Sequence, residues 1–156
     1  MQRKWEVLAE KLKAEKAYYL PRLTPRNLSA RQYAGRAIIR ESNENHGDRT
    51  ISAYAALWRS HDPTWYELGT VWVSAELRGN GFCRNIMTEL IALAPADIRL
   101  LMFTADVAIM RAAHGLGFFE VGNPSHPSNE PWAIRVGVSA RLPGIDNPEG
   151  RRLFVR

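Results

Sequence analysis

Trp5, Leu8, Leu12 and Tyr19 fall on one stripe at helical spacing, with Lys and Glu on the other faces. Gln2 to Tyr19 therefore reads as an amphipathic helix. Pro21 and Pro25 are expected to end it, because proline has no N–H to donate. Ser29 followed by Gln32 has the form of a capping box, which predicts a short second helix starting near Ala30. Ala37 to Glu41 either continues that helix or forms a strand paired with the next one across the polar stretch Ser42–Arg49; the strand is the preferred reading. Thr50–Trp58 and Trp65–Val73 are rich in aromatic and β-branched residues, with Ser60-His61-Asp62-Pro63 as a turn between them. That is the pattern of a hairpin.

After Val73 the character changes. Ser74 to Gly81 is a polar loop carrying two glycines, and from Phe82 the positions Ile86, Met87, Leu90, Ile91 and Leu93 predict a helix closed by Pro95. Ile98 to Phe103 is a short, mostly apolar run, as expected of a buried strand. Strand, glycine loop, helix and strand make a βαβ unit with a parallel pair. Asp106 is expected to cap a further helix through about Ala113, with Gly115 or Gly117 ending it. Phe118–Val121 reads as a short strand, Asn123–Pro131 as a loop and Ala133–Val138 as a last strand. Residues 142–156 read as a loose basic tail. The pattern contains no internal repeat and predicts one domain over residues 1–156, with residues 1–20 as its basic N-terminal helix.

Composition narrows the class. Of 156 residues, 46% are hydrophobic and 24% charged, which excludes a disordered or collagen-like chain. The sequence has no run of 18 or more apolar residues, so neither a membrane span nor a membrane partner is expected. The charged first residues do not resemble a secretory leader. A single cysteine fits a reducing compartment, and a cytoplasmic location is the expectation. The formal charge of +5 is uneven: residues 1–36 carry a net +6, residues 37–150 a net −4, and Arg151, Arg152 and Arg156 add the rest. Basic ends suit nucleic acid or an acidic partner, and equally a solvated helix face with a frayed tail.

The glycine loop is the most specific chemical feature. Successive backbone N–H groups running into a helix N-terminus make an anion site, since unpaired donors converge and the helix dipole adds positive potential. Arg78-Gly79-Asn80-Gly81-Phe82-Cys83 has that layout. It lacks the Gly-Lys-Ser/Thr ending of a P-loop. A dinucleotide fingerprint would need glycine where Arg84 stands, and an acidic residue where Leu101 to Thr104 lie.

Arg78-x-x-Gly81-x-Cys83 instead resembles the Gln/Arg-x-x-Gly-x-Gly/Ala signature of the GNAT superfamily of N-acetyltransferases, which cradles the pyrophosphate of acetyl-CoA. Val71-Trp72-Val73 looks like the end of that family's fourth strand, and Asp106 through Gly117-Phe118 resembles its helix ending in Leu-Gly-Phe. The resemblance covers residues 37–140. It implies an α/β (α+β) fold of the GNAT acyltransferase type: a mixed central sheet with a splayed parallel strand pair, flanked by helices. It also implies acetyl-CoA as co-substrate and no metal. The cofactor set it implies is Trp72, Val73, Arg78, Gly79, Asn80, Gly81, Phe82, Cys83 and Asp106. Two departures stand out. The chain opens with a basic helix where the family opens with a strand, and Cys83 replaces glycine or alanine. Cys83 reads either as a small buried stand-in or as a thiol activated at a helix N-terminus.

Acetyl transfer to an amine needs a bound thioester, a neutral amine, a donor for the developing oxyanion and a proton for the leaving thiolate. The resemblance puts the oxyanion donor on backbone N–H groups near Trp72 or Val73. Glu67 matches a strand glutamate that serves as base in histone-type members, and its neighbours Trp65, Tyr66 and Leu68 would desolvate it. A salt-bridged strand residue is the alternative. Many relatives carry an acid tyrosine where this chain has Ala113. His114 is the candidate substitute, about 100° further round the helix, with Tyr66 behind it and water able to protonate a thiolate. His46, His61 and His126 have no partner at ligand spacing, so no metal is expected. Residues 22–36 and 123–131, with Tyr54, Trp58 and Trp132, are where similar folds shape the acceptor pocket. Three functions stand open: an N-acetyltransferase acting on a small-molecule or peptide amine, a GNAT-fold protein directed at nucleic acid, and a non-catalytic member binding CoA or a protein. A homodimer is compatible with each.

Overall fold

A computed structural model describes residues 3–15, 22–43, 49–60, 62–121 and 152–156. Helix α1 spans Arg3–Ala14 and α2 Pro25–Tyr33, followed by β1 (Ala37–Asn43), β2 (Arg49–Arg59) and β3 (Trp65–Val73). After a 3-10 turn at Ala75–Leu77 come α3 (Phe82–Ala92), β4 (Arg99–Thr104), α4 (Val107–Gly115), β5 (Phe119–Glu120) and β6 (Arg152–Val155). The strands form one mixed sheet in the order β1-β2-β3-β4-β6-β5, flanked by helices. The chain groups into two compact units: residues 1–56 with 70–93, and residues 57–69 with 94–156.

In the first unit, the apolar stripe of α1 is buried as its spacing predicts, through Trp5, Leu8 and Leu12. The helix stops at Ala14, well before Pro21, and Tyr19 lies outside the described residues. The start of α2 corrects the sequence reading. Thr24 is the N-cap, its hydroxyl oxygen accepting from Asn27 N at 3.1 Å, and Pro25 sits in the first turn. Proline there forfeits no helical hydrogen bond and its φ is already helical, so it opens this helix rather than closing the one before. Ser29, expected as a cap, is inside the helix and donates to the Arg26 carbonyl.

The alternative left open at Ala37 resolves as a strand, antiparallel to β2, with a register shift at Arg40/Glu41. Thr50 to Ala56 is buried without interruption, so both faces of β2 are covered. Tyr54, at its centre, meets Trp5 edge to face and donates its hydroxyl to the Leu28 carbonyl at 3.1 Å. Burial pushes the Tyr54 hydroxyl pKa far up, with the nearby Arg31 charge opposing. Tyr54 is thus a core residue joining both helices to the sheet, not a pocket lining. Lys4 pairs with Glu41, and Arg40 with Glu89 of α3.

In the second unit, Asp62 organises the hairpin turn by accepting from the Thr64 backbone N–H and hydroxyl. β3 runs parallel to β4 over Trp65–Glu67 against Arg99–Leu101. The βαβ reading therefore holds. The loose tail does not hold at residues 152–156, and residues 142–151 lie outside the described residues. Arg152–Val155 is a strand inserted between β4 and β5, antiparallel to both. Arg156 continues the ladder through reciprocal backbone bonds with Leu100. Leu153, Phe154 and Val155 are buried, and Leu153 and Val155 pack with Trp65 and Leu101. Three apolar residues between arginines form too short a run to register as a strand until β4 and β5 are available to pair with them. The strand expected at Ala133–Val138 and the loop before it, with Trp132, lie outside the described residues. Among the described residues, no helix is long and apolar enough to cross a membrane.

Because Phe154 is fully buried, Phe154→Ala is expected to destabilise the protein by about 3–5 kcal/mol. Chemical denaturation measures this, and a detached tail would give no change.

Candidate functional site

At the end of β3 the chain must leave a strand, turn and enter α3 within eight residues. Gly79 (φ 86°) and Gly81 (φ 72°) make this turn in the left-handed region, where glycine pays no steric penalty. Gly81 is the N-cap of α3 and its carbonyl accepts from Asn85 N at 3.1 Å. A Cβ built on either glycine meets no atom within 4 Å, so the loop borders open space. Gly79, Asn80 and Gly81 are exposed, while Phe82 and Cys83 are half-buried. The first turn of α3 contains no acidic residue, so its positive end is not neutralised from within the helix. This loop can hold an anion such as a phosphate, and the residues present fit a pyrophosphate. Cys83 directs its Sγ to Met87 Sδ at 3.8 Å, one helical turn on.

Arg78 is occupied differently from the expectation that it binds cofactor. Its Nε donates to the Val73 carbonyl and its Nη2 to Glu15 Oε1, both at 2.8 Å. The same Glu15 oxygen accepts from the buried Trp72 indole Nε1 at 2.7 Å. Lys11, one turn earlier on α1, lies 6.0 Å over the Trp72 ring. The carboxyl pKa of the exposed Glu76 is held below its usual range by its own backbone N–H, with the positive charges of Lys11 and Arg78 adding to this. Two Arg78 nitrogens are thus engaged inside the protein. Glu15 was missed by sequence reasoning: nothing in a Lys/Glu-rich helix singles out one glutamate whose partners lie 57 and 63 positions away.

Thr70 takes φ 54°, a conformation that strains a β-branched residue. It falls between Glu67, the last β3 residue in register with β4, and the Trp72–Val73 end of the strand.

The other expected residues belong to the second unit. Glu67 is buried at 6% exposure. Side chains alternate along a strand and match across a register, so Glu67 shares a sheet face with Trp65, Leu101 and Val155. Phe154 lies on the opposite face, and its ring meets the exposed His114 edge to face at 5.4 Å. The structure therefore does not bring Glu67 and His114 together as a base–acid pair. Ala113, at the usual tyrosine position, is fully buried. The Asp106 carboxylate caps α4, accepting from Ala108 N at 2.8 Å and Ile109 N at 3.1 Å. It thus serves the helix as predicted, through Oδ1. Among the described residues no three His, Cys, Asp or Glu side chains are grouped to hold a metal ion; His46, His61 and His126 lie outside them.

The solved structures that share this fold include the following three. A Mycobacterium tuberculosis protein in complex with CoA is 15% identical, with a TM-score of 0.65 over 99% of this chain and 94% of its own. A diaminobutyrate acetyltransferase from Paenibacillus lautus, in complex with L-2,4-diaminobutyric acid and coenzyme A, is also 15% identical. Its TM-score is 0.65 over 99% of this chain and 89% of its own. A ribosomal-protein-alanine N-acetyltransferase from Brucella melitensis is 17% identical, with a TM-score of 0.62 over 100% of this chain and 95% of its own. No curated protein sequence matches the chain. The sequence model of the Acetyltransferase (GNAT) family matches residues 5–118, well over half the length. With its glycine turn, βαβ unit and mixed sheet, the chain belongs to the GNAT acetyltransferase family.

Proposed function

We propose that the protein transfers an acetyl group from acetyl-CoA directly to an amine of a small molecule or peptide within a ternary complex. The observation that carries this reading is the turn at Gly79 and Gly81, open on its Cβ side and leading into a helix start free of carboxylates. Backbone N–H groups from Gly79 to Cys83 hold the pyrophosphate, and two positive-φ residues aim them. Acetyl-CoA supplies the thioester whose acetyl group is moved. Backbone N–H groups at Trp72 or Val73, beyond the part of β3 in register with β4, are the assigned oxyanion donors. Glu67 removes the proton from the attacking amine, directly or through one water. The C–S bond breaks as the amide forms, and the thiolate takes its proton from water. His114 receives no step, since it is exposed and on the sheet face opposite Glu67.

The basic helix adds less to a nucleic-acid reading than its charge suggests. Lys4 is spent on Glu41 and Lys11 lies over Trp72.

In a thermal-shift titration, CoA at 100 times its dissociation constant is expected to add about 2.7 kcal/mol of stability. Gly81→Trp should lose that shift. The variant should stay folded, because the left-handed conformation costs an L-residue only about 1–2 kcal/mol. No shift in the wild type would remove the cofactor reading.

With acetyl-CoA and an amine panel, release of free CoA thiol reports turnover. Glu67→Gln should lower kcat by about 100-fold or more at unchanged CoA affinity, and His114→Ala should leave kcat near wild type. The opposite pattern would exchange the two roles.

A further inference from the structure

We infer that Glu15 is a positioning residue for the glycine loop, and that Arg78 acts through it rather than as a phosphate ligand. This rests on the reading of that loop as the CoA site. One carboxylate oxygen at the end of α1 accepts from both Trp72 Nε1 and Arg78 Nη2, and Arg78 Nε closes the chain on the Val73 carbonyl. Three points are thereby joined: the exit of α1, the last residue of β3 and the first residue of the turn.

The turn needs such an anchor. Gly79 and Gly81 have no side chains to pack, and with Asn80 they are exposed. Glycine is also the residue with the most conformational freedom to lose. On its far side the turn is held by α3, whose Ile86, Met87 and Leu90 are buried. On its near side the Glu15–Arg78–Val73 chain does the holding. With the Glu15 and Arg78 side chains 35% and 53% exposed, the ion pair adds little to global stability. Its effect falls on binding, because a turn already fixed in its bound shape loses less entropy when the anion arrives.

CoA affinity is measured by calorimetry on the full chain for wild type, Glu15→Ala, Glu15→Gln, Arg78→Gln and the Glu15→Ala/Arg78→Gln pair. Glu15→Ala should weaken CoA about tenfold, the factor that 1.4 kcal/mol of lost preorganisation gives. KM for acetyl-CoA should rise in step, with kcat at saturation close to wild type. Glu15→Gln, which keeps an acceptor oxygen, should recover most of the affinity. The double variant should bind no worse than Arg78→Gln alone, because both changes break one chain.

Glu15→Ala binding CoA as tightly as wild type would overturn the inference and leave the cofactor reading standing. Additive losses in the double variant would overturn it too, and would make Arg78 a ligand in its own right. A wild type that binds no CoA would overturn the cofactor reading, and this inference with it. Should Glu15→Ala fail to fold, Arg78→Gln and Glu15→Gln carry the same comparison.

Discussion

The left-handed backbone at Gly79 and Gly81 is the constraint on which the proposed chemistry depends. A strand that turns quickly into a helix would normally bury its connecting amides or cap them with a side chain. Here Gly81 caps α3 without a side-chain hydrogen bond, so no capping side chain occupies the donors at the helix start. A side chain capable of capping would compete with an incoming anion for the same donors. The loop is thus shaped by what its residues leave out.

The same economy appears in the charges. By count, the first 36 residues form a strongly basic segment. In three dimensions Lys4 meets Glu41, Lys11 lies over Trp72, and Glu15 faces Arg78. Each contact is weak as a source of stability, since exposed ion pairs contribute about 0–1 kcal/mol. Their placement matters more than their strength. The end of α1 is thus fastened to the segment that runs from Trp72 into the glycine turn.

Stability in the second unit depends on pairing between segments far apart in sequence. β6 joins β4 and β5 across a gap of some thirty residues to the nearer strand, and its buried Phe154 also receives the His114 ring. Long closures of this kind cost chain entropy before any contact offsets it. The apolar packing of Leu153 and Val155 against Trp65 and Leu101 supplies that offset.

Much of the architecture was legible in the sequence because its causes are local. The α1 stripe follows from the 3.6-residue period, the β2–β3 hairpin from β-branched and aromatic runs around a turn, and the Asp106 cap from one carboxylate within reach of two amides. The Arg78–Cys83 motif, whose glycines take the positive φ the turn requires, was equally visible. The start of α2 was also local and was misread, because Pro25 looked like a stop when it stands in the first turn, and Ser29 looked like the cap that Thr24 is. Tertiary structure alone decided the remainder. Whether three apolar residues near the end of the chain form a strand depends on β4 and β5 already lying in place. That Glu15 meets Trp72 and Arg78 depends on how α1 lies within its unit. That Glu67 and His114 sit on opposite faces depends on register, which is set by pairing with another strand and is invisible to any pattern read along a single segment.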